Sequence, residues 1–193
     1  MNKNNKITLT SNVIEEELKR VTYKSKYLKL LKNTTFTLII VAAISTIIAS
    51  FVLSVLEING LSMMPTLTEG QIVIAYKSKT IEENDVIAFY QGNKILIKRV
   101  IATSGSFVNI DDGGNVYVNG ELLKEPYVEE KYYGETDIEF PYQVPDGHYF
   151  VLGDKRDTSI DSRNSKIGAI SKDDVLGKVV ISIWPLNKME VIK

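Results

Sequence analysis

Two side chains in this sequence, Ser62 and Lys98, are of types that combine for nucleophilic catalysis without a histidine. Ser62 sits in Asn59-Gly60-Leu61-Ser62-Met63-Met64-Pro65-Thr66-Leu67, two residues after a glycine and three before a proline that restricts the backbone. A loop serine alone reads as readily as a turn or cap residue. Lys98 lies in the apolar run 95–101, whose period of two puts Leu96, Lys98 and Val100 on one face and Ile97, Arg99 and Ile101 on the other. Alternation leaves open which face is buried, and an outward lysine on an edge strand is common. On an inward face, burial disfavours the ammonium and lowers its pKa from about 10.4 towards the range of a general base. Such a neutral amine takes the proton of a serine hydroxyl.

A third feature is Gly153-Asp154-Lys155-Arg156-Asp157-Thr158-Ser159-Ile160-Asp161-Ser162-Arg163, a dense polar run after the apolar stretch 149–152. Composition alone permits a solvated loop or a cation site, but this order of glycine, acids, serines and arginines is more specific. The absence of cysteine excludes disulfides, thiol catalysis and cysteine-ligated metals. The single histidine, His148, follows Asp146-Gly147 in a turn-like stretch and reads as a bystander. There is no phosphate-binding glycine loop and no ligand cluster, so neither a metal nor another cofactor is expected.

Taken together, these segments resemble the type I signal peptidases of bacteria, in their Gram-positive form. Ser62-Met63-Met64-Pro65-Thr66-Leu67 is similar to the family's nucleophile box, Lys98-Arg99-Val100 to its lysine box, and the 153–163 run to its Gly-Asp-x-Arg-x-x-Ser-x-Asp-Ser-Arg box, in the family's order. The resemblance implies a serine endopeptidase that removes signal peptides from exported preproteins after small residues. In it Ser62 attacks the scissile carbonyl and Lys98 is the general base. Ser159 orients Lys98, while Arg99 with Asp154 and Asp161 with Arg163 form ion pairs that hold the site. The cleavage segment binds as an added strand, with shallow pockets for small side chains. Two positions depart from the commonest pattern. Lys155 stands where the family often has asparagine, adding a charge near the site. Gly60 stands where Gram-negative relatives supply a hydroxyl to the oxyanion hole, so the N–H of Ser62 is expected to serve instead.

The elements that must position these residues are short β-rich runs separated by turn residues. They cover 71–76, 85–90, 95–101, 107–110, 116–118, 121–123, 149–152 and 179–184, with Asn119-Gly120 a two-residue hairpin signal. The expectation is a mainly β, antiparallel catalytic domain over 57–193, with 126–145 a charged and aromatic surface excursion. Before it lie 24 uncharged residues, 33–56. As a helix this run reaches about 36 Å, enough to cross a hydrocarbon core of about 30 Å. Five residues, 57–61, then separate the span from Ser62, which limits the nucleophile to about 20 Å beyond the helix end.

Residues 1–32 carry eight Lys/Arg against three Glu, whereas 57–193 carry fifteen against twenty-one acids. That asymmetry keeps the N-terminus in the cytoplasm and the catalytic domain outside a cell membrane crossed once. The leader reads as a helix capped by Asn12 with Glu15, supported by the pairs Glu15–Lys19 and Glu16–Arg20. Its lysines serve as a topology signal or contact anionic lipid. Leu61, Met63 and Met64 touch lipid, line the groove or pack in the core; the sequence leaves this open. The implied partners are signal-peptide-bearing preproteins and the lipid bilayer, with no nucleic acid and no reading of oligomeric state. Two other readings compete: a catalytically silent relative that assists assembly of exported or pilus proteins, and a soluble self-cleaving repressor. The first would lack Ser62 or Lys98, and the second would need a DNA-binding head where the uncharged span stands.

Overall fold

The computed structural model describes residues 11–192 of the chain, in two units that divide after Ser50. The first is dominated by one helix, α1 (Ser11–Val52), 42 residues without glycine or proline. Its apolar window has a mean hydropathy of 2.3 and is exposed among the described residues. The hydroxyls of Thr34, Thr37 and Thr46 donate back to the carbonyls of Leu30, Asn33 and Ala42 at 2.8–3.0 Å. These polar groups are thereby satisfied within the helix. Glu15 pairs with Lys19 as expected, but Arg20 pairs with Glu17 rather than Glu16. Both spacings lie on one helical face and the i,i+3 partner is nearer. Asn12 already lies inside α1 rather than at its cap, and its side chain is outside the described residues.

The uncharged run does not stay helical to Leu56. It switches at Leu53 into β1 (Leu53–Glu57), paired along its length with β2 (Ile72–Tyr76). Residues 33–52 still span about 30 Å as a helix. The connection from α1 to Ser62 is therefore nine residues, 53–61, rather than five. No charge, glycine or proline punctuates the run, so hydropathy alone did not mark this change; pairing to β2 decides it.

The remaining strands are β3 (Val86–Gln91), β4 (Lys94–Thr103), β5 (Phe107–Ile110), β6 (Val116–Val118), β7 (Glu121–Leu122), β8 (Tyr142–Gln143), β9 (His148–Leu152), β10 (Ile170–Ser171), β11 (Val175–Trp184) and β12 (Glu190–Val191). Among the described residues they form two antiparallel sheets. The larger runs β1-β2-β11-β3-β4-β9-β10 with β12 beside β11, and the smaller β7-β6-β5-β8. The mainly β, antiparallel expectation thus holds. Asn119 and Gly120 both take positive φ, 52° and 85°, the conformation of the hairpin turn read from their types.

Strand β4 matters most to the site. Residues 94–99 pair with β3 on one side, but β9 joins the other side only from Arg99 onward. Residues 94–98 therefore keep one unpaired backbone edge. Beneath the larger sheet, Ile58, Met63, Leu67, Val73, Val86 and Val179 pack in one core. A second core joins the two sheets through Ile101, Val108, Val116 and Phe150. The 126–145 excursion is mostly irregular, but it is no loose surface loop. Tyr133 and Phe140 stack edge-on in series onto Phe150, and Tyr142 tilts against the same ring.

Candidate active site

The Ser62 loop is fixed at both ends. Its base closes through Ile58 N–H to the Gln71 carbonyl (2.8 Å) and Gly70 N–H to the Ile58 carbonyl (2.9 Å). Met63 and Leu67, four residues apart, are both buried in the core, and Leu67 N–H donates to the Met63 carbonyl at 2.8 Å. The apolar neighbours of Ser62 thus divide three ways: Met63 is core, Leu61 is exposed, and Met64 is half-buried beside a cleft. The Ser62 carbonyl accepts the Lys155 N–H at 3.0 Å. The Ser62 N–H has no acceptor among the described residues. Gly60 holds φ +104°, which L-residues rarely adopt, although a Cβ there would meet nothing within 4 Å.

Lys98 faces inward and is only 4% exposed. Its Nζ donates to Ser159 Oγ at 3.1 Å. Burial lowers the ammonium from 10.5 to about 8; the carboxylates of Asp161 and Asp154 pull it back up, and Arg163 pushes it down. Ser62 and Lys98 line the same open cleft of about 540 Å³, together with Gly60, Leu96, Ile160 and Ile167. A smaller hollow of about 100 Å³, between residues 57–63 and 95–98, also touches both. No direct hydrogen bond joins the serine to the lysine; such bonds often tighten only around the substrate.

Around this pair the polar run folds into buried ion pairs. Arg99 Nε and Nη2 grip Asp154 Oδ1 and Oδ2 at 2.9 and 2.7 Å, while Nη1 donates to the Asn84 carbonyl at 2.8 Å. The Thr66 hydroxyl donates to the same Asp154 carboxylate and accepts from Arg99 Nη2, so the serine loop and the lysine strand share one clamp. The Tyr127 ring lies 4.0 Å from the Arg99 guanidinium carbon. Asp161 and Arg163 form a second two-pronged pair at 2.8 and 2.9 Å, and Asp161 also accepts the Gly153 N–H at 3.0 Å. Arg163 Nη1 reaches the carbonyls of Tyr132 and Tyr133, which ties the 126–145 excursion to the site.

Gly153 is the tightest point. A Cβ there would stand 2.2 Å from Ser159 Oγ and 2.6 Å from the Ser62 carbonyl oxygen. Only a glycine lets the loop bring the Lys98 partner and the serine backbone this close. The Lys155 side chain lines a separate cleft of about 250 Å³ with Met64, Glu129, Glu130 and Asp157. The charge that departs from the commonest pattern thus lies in a cleft that acids also line. The His148 Nδ1 makes a local bond to the Asp146 carbonyl at 2.8 Å.

Sequence reasoning paired Arg99 with Asp154 and Asp161 with Arg163, and the structure brings both pairs together. It missed Thr66, Asn84 and Tyr127 around Arg99, and the buried pair of Arg156 with Glu125. Thr66 and Arg156 lie within the quoted motifs. Glu125, Asn84 and Tyr127 carry no local signal, because their partners are distant in sequence.

Residues 30–184 match the family described as signal peptidase, peptidase S26. The chain belongs to that family. Within it the similarity is to type I enzymes: signal peptidase I of Bacillus licheniformis is 31% identical over 178 residues, covering 82% of this chain and 93% of the relative. Signal peptidase IB of Staphylococcus aureus is 34% identical over 164 residues, covering 75% and 84%. A crystal structure of a signal peptidase I from Enterococcus faecalis V583 aligns with a TM-score of 0.44 and 30% identity, over 52% of this chain and 97% of the other.

Proposed function

We propose that this signal peptidase is a single-pass membrane serine endopeptidase that cuts signal peptides from exported preproteins after small residues, with Ser62 as nucleophile and Lys98 as general base. The observation that carries the reading is the buried Lys98 amine, held by Ser159 in the cleft that Ser62 lines. The neutral amine takes the Ser62 Oγ proton as Oγ bonds to the scissile carbonyl carbon. The carbonyl π electrons move to oxygen, and the free Ser62 N–H donates to that oxyanion. Collapse breaks the peptide C–N bond, and the leaving nitrogen takes the proton from the Lys98 ammonium. Lys98 then accepts a proton from the attacking water, and the ester C–O bond breaks with the proton passing to Ser62 Oγ.

The unpaired edge of residues 94–98 supports binding of the cleavage segment as an added strand. The small hollow beside Ser62, lined also by Ile58, Met63 and Leu96, offers an apolar place for a side chain next to the cut. A bilayer as the working surface is supported by α1 and by the strand that follows it directly. Leu53 and Val55 of β1 share one face with Ile74, Ile181, Trp184 and Val191, and much of that face is exposed. The basic residues before the span support a cytoplasmic N-terminus and an extracytoplasmic catalytic unit.

The test incubates the detergent-solubilised full chain with a preprotein, beside Ser62→Ala and Lys98→Ala. Cleavage at the signal junction by the unaltered chain alone is expected. Equal products from all three would overturn the dyad.

A further inference from the structure

The mechanism above leaves the buried pair of Glu125 and Arg156 unused. Glu125 comes from the segment just past β7, and its side chain is fully buried. Its carboxylate binds Arg156, an equally buried arginine, through Nη2 and more loosely through Nη1 at 3.5 Å. The same guanidinium turns its Nε to the Gly153 carbonyl at 3.0 Å. The peptide groups of Gly153 are therefore gripped from both ends, the N–H by Asp161 and the C=O by Arg156. Gly153 in turn is wedged between Ser159 Oγ and the Ser62 carbonyl, and Ser159 is the group that holds Lys98.

We infer that Glu125 is a positioning residue for the peptidase reaction: it aims Arg156 so that Gly153 sets the spacing between the Ser159–Lys98 pair and Ser62. This inference rests on the dyad reading. A charged fork aimed by a buried carboxylate is directional, because the three nitrogens of the planar guanidinium are satisfied in one plane, Nη1 and Nη2 by Glu125 and Nε by the Gly153 carbonyl. Neither Glu125 nor Arg156 belongs to the unpaired edge of β4, so loosening them disturbs the reacting atoms more than the strand that binds substrate. A misplacement of about 1 Å at the reacting groups is worth about a hundredfold in rate.

The experiment measures kcat and KM for preprotein cleavage by the full chain in detergent. The variants are Glu125→Gln and the double replacement Glu125→Leu with Arg156→Met, each normalised to its folded fraction by circular dichroism. The double variant removes both charges, and apolar replacement of a buried pair is often neutral for stability. Both variants are expected to lose about ten- to a hundredfold in kcat with KM changed less than about threefold. Unchanged kcat per folded molecule in either, or a loss carried by KM, overturns the inference. Ser62→Ala is measured alongside. Activity retained there overturns the dyad itself, whereas an inactive Ser62→Ala beside fully active Glu125 variants overturns only the role of Glu125.

Discussion

The depressed pKa of Lys98 makes the pH dependence of the reaction quantitative. The perturbation is proton concentration alone. With a free-enzyme pKa of about 8, the neutral fraction of the amine is about 9% at pH 7, about 50% at pH 8 and about 90% at pH 9. The sign follows from the proposed base role: with a deprotonated active form, kcat/KM is expected to rise with pH. It should climb about tenfold between pH 7 and 9 and then level, gaining only about a tenth more by pH 10. An ordinary lysine near 10.5 would behave differently, rising about a hundredfold between pH 7 and 9 and about eightfold more by pH 10. The assay is the initial rate of cleavage of a preprotein or fluorogenic signal peptide at sub-saturating concentration, in detergent. A rate that is flat from pH 6 to 10, or still climbing steeply above pH 9, would refute the argument that burial prepares this amine.

The same burial has a cost in stability. Lys98 binds a proton less tightly in the folded protein than in the unfolded one, so its penalty is full below about pH 8 and vanishes as pH rises through about 10.5. The difference between 10.5 and about 8 is worth about 3 kcal/mol, less about 1 for the lost Ser159 bond. Lys98→Met should therefore be more stable by about 2 kcal/mol at pH 7 in chemical denaturation, though inactive, and equal or lower stability at that pH would contradict the account. Arg99→Ala leaves the Asp154 carboxylate buried and uncompensated and should cost about 3–5 kcal/mol by the same measurement. Gly153→Ala, whose methyl meets Ser159 and the Ser62 carbonyl, should lower kcat by about a hundredfold. Gly60→Ala meets no neighbouring atom, and should instead lose about 1–2 kcal/mol of stability through its positive φ.

Most of the larger strands were legible because their apolar runs are bounded by turn residues, although β11 begins at Val175, four residues before the run read at 179–184. β5 and β6 fall where alternation places them, and Asn119-Gly120 turns as its residue types demand. The short strands β8, β10 and β12 were not, since two-residue pairings have no period to detect. β1 was hidden inside a hydropathy signal that serves a helix and a strand equally. At the site, the motif residues could be named from sequence because type and order carried them. The inward face of Lys98 could not, because β4 is buried on both faces from Lys98 to Ala102, and alternation distinguishes faces only when one is wet. Glu125 escaped for a different reason: its partner is 31 residues away, across the boundary between the two sheets.

The most direct test is an NMR titration of the Lys98 side chain, using lysine labelled with carbon-13 at Cε and Lys98→Met to assign the resonance. A midpoint near pH 8 that coincides with the kinetic one is the predicted result. A midpoint near 10.5, with cleavage already complete in its rise by pH 9, would show that some other group accepts the serine proton.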